Sequence, residues 1–385
     1  MKKVCFIVWD RFSYGGISRV ISNVINGLCD EYEITILCLK KQQFLENVYN
    51  IDFKKVKIVH CELTRMQKVR RELVDRYCSK VVRWLSLPLT YYFHWRYSGS
   101  FRKKLISVIG DHFDVVIGAS GLTESYLLST IAPRIGGRKI GWMHTSFEGY
   151  FLQGTPREVD FNLKMAKHHL SGLEQLLVLS YKDAKKYNIF CPCTVLYNPV
   201  SFSCETVADA DSKRFIFIGA LSKIKGGDIL IDAFVIFAKK HADWTLDIYG
   251  DGPLWSYILK KIRENNVANR VILNHSIKNV KQAYLHAGAL LFPSRLEGFG
   301  IVQGEAMTCG LPVLAHRLPI TEELVEDYGC GLLYTEDTPE AFSAVMEQYA
   351  GFPLDKKKEL QANALRRSKS FGMEDILDIW KQKVV

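Results

Sequence analysis

The stretch "SRLEGFGIVQGEAMTCGLPV", residues 294–313, sets Glu297 and Glu305 eight positions apart on either side of a glycine turn. Carboxylates accept hydrogen bonds from hydroxyls, so two of them at this spacing suit a ligand rich in hydroxyl groups. The run "ALLFPS" just before reads as a buried parallel strand, and ligands of doubly wound sheets sit beyond the carboxyl ends of such strands. Glu297 is therefore expected at the mouth of a cleft. Gly298 and Gly300 permit a tight turn and a close backbone approach to a ligand. "IVQGEAM" then opens a helix whose first amides lack intrahelical partners and attract anions, phosphate above all. With the helix starting near Gly300, Glu305 stands about a turn and a half inside it, so the two acids can grip different parts of one ligand.

A second loop carries complementary charge. "RFIFIG" reads as a strand, and the loop "ALSKIKGG" after it ends with Lys225 beside two glycines, a pattern suited to holding phosphate. Leu230, Ala233, Phe234, Phe237 and Ala238 then recur at helical spacing. The N-terminus repeats this order: strand "VCFIVW", a loop ending in Gly15 and Gly16, and a helix patterned by Ile17, Val20, Ile21, Val24, Ile25 and Leu28. Further strands are expected at "EITILCL", "DVVIGA", "KIGWMH" and "LLVLS", and at "WTLDIYG", "RVILN", "ALLFPS" and "PVLAH". Two such openings in 385 residues imply an α/β chain with two Rossmann-like doubly wound domains. The boundary is placed in "VLYNPVSFSCETVADADS", giving an N-terminal domain at 1–198 and a C-terminal domain at 199–372. Residues 373–385, with Ile376, Ile379, Trp380 and Val384 at helical spacing, form a terminal helix that docks on one domain or spans both.

"EGFGIVQGEAMTCGLPV" resembles the E-x7-E signature of the retaining GT-B glycosyltransferases of family 4. The glycine pair Gly15–Gly16, the "G-x-L-x-x-x-K-G" run from Gly219 to Gly226, "IYGDGP" and "FPSRLEGFG" follow the same order and spacing. The resemblance is close over the second half; in the first it rests on the opening loop and "WMH". It implies the GT-B fold, two Rossmann-like domains facing each other across a cleft that holds the active site. It also implies roles. Glu297 would contact hydroxyls of the donor sugar and Glu305 the ribose of the nucleotide. Phe299, Gly300 and Ile301 would offer amides to the diphosphate, Lys225 would neutralise it, and Gly15 and Gly16 would approach the phosphate or sugar. His144 matches a histidine near the sugar. The donor implied is a nucleotide diphosphate sugar, UDP-linked as the family's commonest case, with no metal and no other cofactor. One departure stands out, since Ala220 occupies the position where the family carries an arginine. A non-catalytic nucleotide-sugar-binding partner subunit and a nucleotide-sugar epimerase on the same architecture therefore stay open as alternatives. An NAD-dependent oxidoreductase is disfavoured, because "DRFSYGGIS" lacks G-x-G-x-x-G.

Charge is concentrated in one segment. Residues 65–104 hold eleven Lys and Arg against two acids, in a chain of net charge +10. Trp84, Leu85, Leu87, Tyr91, Tyr92, Phe93, Trp95 and Tyr97 interleave with these bases, a mixture suited to an anionic membrane surface and a lipid-linked or polysaccharide acceptor. Nucleic acid is not the expected partner; the rival reading is a solvated basic helix with its aromatics in the core. No window is long and apolar enough to span a bilayer, so the expected location is cytoplasmic, peripheral at the inner membrane face. The ten cysteines are scattered, which suggests free thiols, and Cys191 with Cys193 lacks the histidines of a zinc site. Asp209–Ala210–Asp211 spells D-x-D, but it lies in the linker and reads as solvated.

Overall fold

The computed structural model describes residues 1–9, 15–40, 49–78, 89–277 and 279–385. The chain forms two compact units, Met1–Pro199 together with Glu374–Val385, and Val200–Met373.

The first unit is built on β1 (Lys3–Val8), β2 (Glu33–Cys38), β3 (Val56–His60), β4 (Val115–Gly118), β5 (Arg138–Trp142), β6 (Gln175–Val178) and β7 (Cys193–Val195). These pair in parallel in the order β3-β2-β1-β4-β5-β6-β7. The second unit contains β8 (Arg214–Ile218), β9 (Thr245–Tyr249), β10 (Val271–Asn274), β11 (Ala289–Phe292), β12 (Val313–His316) and β13 (Gly331–Tyr334), parallel in the order β10-β9-β8-β11-β12-β13. Helices cover the faces of both sheets, so central strands such as β4 and β11 are buried along their whole length and read as unbroken apolar runs.

In each sheet the strand order reverses beside the first strand, between β1 and β4 and between β8 and β11, which is where open α/β sheets bind ligands. The pairing of Ala289 with Phe215 and of Leu290 with Ile216 has a direct consequence. It lays the loop after β8, which carries Lys225, beside the loop after β11, which carries Glu297.

Three edge strands, β3, β7 and β13, were not expected from the sequence. They are short and half exposed, so neither a continuous apolar run nor a clean alternation marks them. The helix Gly16–Leu28 forms with Val20, Ile21, Val24, Ile25 and Leu28 buried, but Ile17 points outward.

The basic aromatic segment is corrected in part. Phe93 and Tyr97 are buried in the first core, the Arg96 guanidinium forms an ion pair with Asp75 at 3.1 Å, and Asp75 accepts a hydrogen bond from the Tyr92 hydroxyl. These aromatics serve packing and are not offered to a surface. Trp84, Leu85 and Leu87 lie outside the described residues.

The C-terminal segment packs within the first unit. Trp380 is fully buried, edge-on to Trp142 at 4.9 Å and tilted against Phe6 at 6.0 Å. Backbone carbonyls at the end of the chain accept hydrogen bonds from Lys2 and Arg138. Cys5, Cys29, Cys38, Cys61, Cys191, Cys193, Cys204, Cys309 and Cys330 are free thiols. Asp209 and Asp211 form a local turn, in which the Asp211 amide donates to Asp209 Oδ1 at 3.0 Å. Among the described residues no helix is long and apolar enough to cross a membrane.

Candidate functional site

Lys225 and Glu297 meet: Nζ lies 2.5 Å from Oε2, with both side chains largely sheltered. Their loops are held together by features that local sequence does not announce. Gly226 adopts a left-handed conformation (φ 70°), and a Cβ built there would lie 2.1 Å from the Pro293 carbonyl oxygen. Only glycine lets the two loops approach this closely. Across the same seam the Arg295 amide donates to the Ile224 carbonyl at 2.8 Å. The Arg295 side chain donates to the Lys223 carbonyl, forms a two-pronged pair with Asp228 at 2.8 and 3.1 Å, and reaches Asp337 at 2.7 Å. Fork-shaped pairing of this kind fixes geometry as well as charge. The hydrogen bonds that Arg295 donates to Asp228 and Asp337 push its pKa up. Burial works to raise the Asp228 pKa, but hydrogen bonds and charge from Arg295 bring it below the usual carboxylate range.

The helix Ile301–Thr308 starts directly behind Glu297. Its N-cap, Gly300, is also left-handed (φ 71°), and an added Cβ would strike the Phe292 ring at 2.6 Å and the Gln303 amide nitrogen at 2.7 Å. It would lie 3.2 Å from Glu297 Cγ, so the glutamate folds back over the helix start. Among the described residues the amides of Gly300 and Ile301 make no hydrogen bond. An ammonium group, a carboxylate and open helix-terminal amides thus share one corner of the second unit. Such a corner can neutralise a phosphate and bind hydroxyls together.

The remaining predicted residues are placed as follows. The Phe299 side chain is buried, edge-on to Phe371 at 5.3 Å, and its carbonyl accepts a hydrogen bond from the Gln303 side chain at 3.0 Å. Glu305 is 1 % exposed and accepts a hydrogen bond from the Tyr284 hydroxyl at 3.1 Å. Ala220 is exposed, and Lys223 beside it is exposed as well. Gly15, Gly16 and His144 belong to the first unit. Gly15 is extended and exposed, with open space where a Cβ would go, and its amide donates to the Tyr49 hydroxyl at 2.8 Å. His144 follows β5 and is buried; its Nε2 lies 2.7 Å from the Ala119 carbonyl, which fixes the proton on that nitrogen. Burial pushes its pKa down to about 4, so it is neutral near pH 7. Its Nδ1 has no partner among the described residues and can only accept a hydrogen bond. Arg295 and Tyr284 were not anticipated. The only sequence signal for Arg295 is its place two residues before Glu297.

Residues 203–367 match the sequence model of the family described as Glycosyl transferases group 1. The chain is 33% identical over 212 residues to an uncharacterized glycosyltransferase of Methanocaldococcus jannaschii, an alignment taking in 54% of this chain and 58% of that protein. The chain thus spans little more than half the length of this relative. An uncharacterized glycosyltransferase of Haemophilus influenzae is 23% identical over 395 residues, covering 99% of both chains. Among solved structures, S. aureus TarM in complex with Fondaparinux, alpha-GlcNAc-glycerol and UDP superposes with a TM-score of 0.73 at 13% identity, covering 99% of each chain. The fold is that of the GT-B glycosyltransferases, two Rossmann-like domains each with a parallel sheet.

Proposed function

We propose that this chain is a retaining, metal-independent glycosyltransferase. In this reading it moves a sugar from a nucleotide diphosphate donor, UDP-linked, onto a lipid-linked or polysaccharide acceptor in glycan synthesis. The observation that carries it is the Lys225–Glu297 pair set against the start of the helix Ile301–Thr308. The family match over this region and UDP in the TarM structure support the donor class.

Sugar transfer breaks the bond from the anomeric carbon to the diphosphate, so negative charge grows on the leaving group while positive charge grows on the sugar. The amides of Gly300 and Ile301 and the ammonium of Lys225 stabilise the first. A helix terminus alone contributes roughly 0.3 to 2 kcal/mol, so the lysine is needed as well. Glu297, released from Lys225 when the diphosphate takes the ammonium, accepts from hydroxyls of the donor sugar, and Glu305 from the ribose. Retention without a protein nucleophile follows when the leaving phosphate oxygen takes the acceptor proton on the face where the new bond forms. His144 accepts a sugar hydroxyl at Nδ1. The family's missing arginine at Ala220 removes a charge-assisted hydrogen bond worth roughly 1.5 to 3 kcal/mol, which slows the reaction without abolishing it.

Lys225→Ala and Glu297→Gln should each lower donor turnover by about a hundredfold or more, as loss of a transition-state donor does elsewhere. A thermal-shift panel of UDP-, GDP- and ADP-sugars identifies the donor. Full activity in both variants would exclude this site. Donor binding without transfer or hydrolysis would indicate a non-catalytic subunit, and donor conversion without acceptor an epimerase.

The membrane reading narrows to the helical stretch Arg65–Cys78. Met66, Val69, Leu73 and Tyr77 recur on one face and are 84, 51, 53 and 54% exposed, between Arg65, Lys68, Arg70 and Arg76. Such a basic amphipathic face suits an anionic bilayer surface. Vesicles containing anionic lipid should sediment the protein at low salt, and Met66→Ser with Leu73→Ser should release it. Equal retention on neutral vesicles would refute this.

A further inference from the structure

The carboxyl end of the first sheet carries two arginines that have no part in the donor site. Trp9 follows β1, and its amide donates to the Ser120 hydroxyl just after β4 at 3.3 Å, so its indole marks the point where the strand order reverses. The Arg71 guanidinium lies over that ring, 3.7 Å from its centre. Arg71 stands on the inward face of the helix Arg65–Leu73, in line with Gln67, which donates to Ser98 and Ser100, and with Val74, which is buried. Arg96 ends the helix Leu89–Arg96 and sits among Tyr92, Phe93 and Tyr97, 5.6 to 6.0 Å from their ring centres. One carboxylate brings the two together: Asp75 lies 3.9 Å from Arg71 Nε and 3.1 Å from Arg96 Nε.

Ion pairing leaves the hydrogen-bond donors of both forks unused. The Arg71 and Arg96 side chains are 22 and 16% exposed, and neither guanidinium donates a hydrogen bond among the described residues. Both Nε atoms are sealed from solvent, whereas the terminal nitrogens are not, so the open edge of each fork faces outward. The charges around them are few. Arg70 adds a third cation, but its Nε donates to the Trp95 carbonyl at 2.7 Å. Against these stand Asp75, which also accepts from the Tyr92 hydroxyl, and Glu124, whose charge acts on Arg96 more weakly than that of Asp75. The acids hold the arginines in place without filling their donors. Paired planar forks, backed by aromatic rings and open at their terminal N–H groups, match the oxygens of a phosphate. The donor diphosphate has its own lysine and helix start in the second unit, so a phosphate held in the first belongs to the other substrate. We infer that Arg71 and Arg96 bind a phosphate group of the acceptor. The word acceptor rests on the glycosyltransferase reading, and the phosphate on the two forks alone.

Isothermal titration of the full chain in saturating UDP, with inorganic phosphate and glucose 1-phosphate as probes, tests it. Both should bind. Arg71→Gln and Arg96→Gln should each weaken them by about ten- to a hundredfold, while the thermal shift given by UDP stays unchanged. Asp75→Asn keeps an acceptor for Tyr92 and removes the competing charge, so it should tighten binding by about three- to tenfold. A purely structural cluster would not give changes of opposite sign. Melting curves identify any variant that fails to fold, and the others then decide. Absence of phosphate binding, or equal binding in folded variants, would overturn the proposal. Retention on phosphatidic acid vesicles that needs both arginines, with neither soluble probe bound, would make the phosphate a membrane headgroup and remove the acceptor assignment. Sugar transfer with an unaltered acceptor KM in the two glutamine variants would sink the proposal while leaving the glycosyltransferase reading intact. Phosphate binding that the variants shift as stated, in a chain that binds no nucleotide sugar, would leave the arginine site standing and remove the enzyme.

Discussion

Two adjacent glycines give the sharpest test of how the second unit positions its charges. Gly226 is left-handed, and a Cβ there would lie 2.1 Å from the Pro293 oxygen and 2.8 Å from both its carbonyl carbon and its Cβ. A carbon–oxygen contact settles near 3.3 Å, so Gly226→Ala must separate the two loops by about 1 Å. The left-handed conformation adds roughly 1–2 kcal/mol for any residue with a Cβ. Neither side gives way easily, because the obstacle is backbone and Arg295 ties the loops at Lys223, Ile224 and Asp228. Lys225 is the residue next to the displaced carbon, and a misplacement of about 1 Å in catalytic geometry costs up to about a hundredfold in rate. That is about 2.7 kcal/mol of transition-state stabilisation. Gly227 is the control. It begins a helix without a positive φ, and a Cβ there meets a Leu254 methyl at 3.3 Å and the Ser222 backbone at an ordinary 3.6 Å. Alanine at that position gains up to about 1 kcal/mol of helix propensity against a small adjustment of that side chain. Release of nucleoside diphosphate from whichever donor the nucleotide panel identifies is the assay. Gly226→Ala should lose about a hundredfold in kcat/KM, and Gly227→Ala should stay within about threefold of the native enzyme. If both variants matched the native enzyme, or if both failed equally, the register of these loops would not set the position of Lys225.

Two further outcomes concern the first unit. Trp380→Ala should cost about 3–5 kcal/mol in a urea titration, because it empties a fully buried site against Phe6 and Trp142; a loss below about 1 kcal/mol would show that the C-terminal segment is dispensable there. Burial lowers the pKa of His144 to about 4 and of His169 to about 3, whereas both take up protons near 6.5 when unfolded. The unfolded chain therefore binds more protons between these values, and stability falls as pH drops from about 6.5 toward 4. Burial raises Asp183 to about 6 from 3.8, which acts in the opposite direction over the same range, and two histidines outweigh it. His169→Phe, whose ring would sit between Phe93 and Tyr126, should flatten the slope; a melting temperature that fell as steeply in the variant would refute the assignment.

The parts of the structure legible in the sequence are those whose signal is local. Central parallel strands are buried on both faces and announce themselves as apolar runs, whereas β3, β7 and β13 lie at sheet edges with half their surface open and leave no such trace. The turn at Gly300 and the helix after it were readable because a left-handed cap needs glycine next to the residues it serves. The pairing of Lys225 with Glu297 was not, since it depends on β8 and β11 being neighbours in the sheet, and residue types cannot state strand order. Arg295 shows the same limit. Its partners lie far along the chain in both directions, at Asp228 and Asp337, and nothing near position 295 distinguishes a loop-clamping arginine from a solvated one. The aromatics at 93 and 97 were ambiguous for a different reason. A bilayer and a protein core both select large apolar rings, and only the tertiary contacts of Phe93 with Tyr126 and His169 decide between them. Local chemistry thus identifies which groups can hold a phosphate and bind hydroxyls. The distances that let them act together come from sheet order and from glycines whose missing side chain is their function.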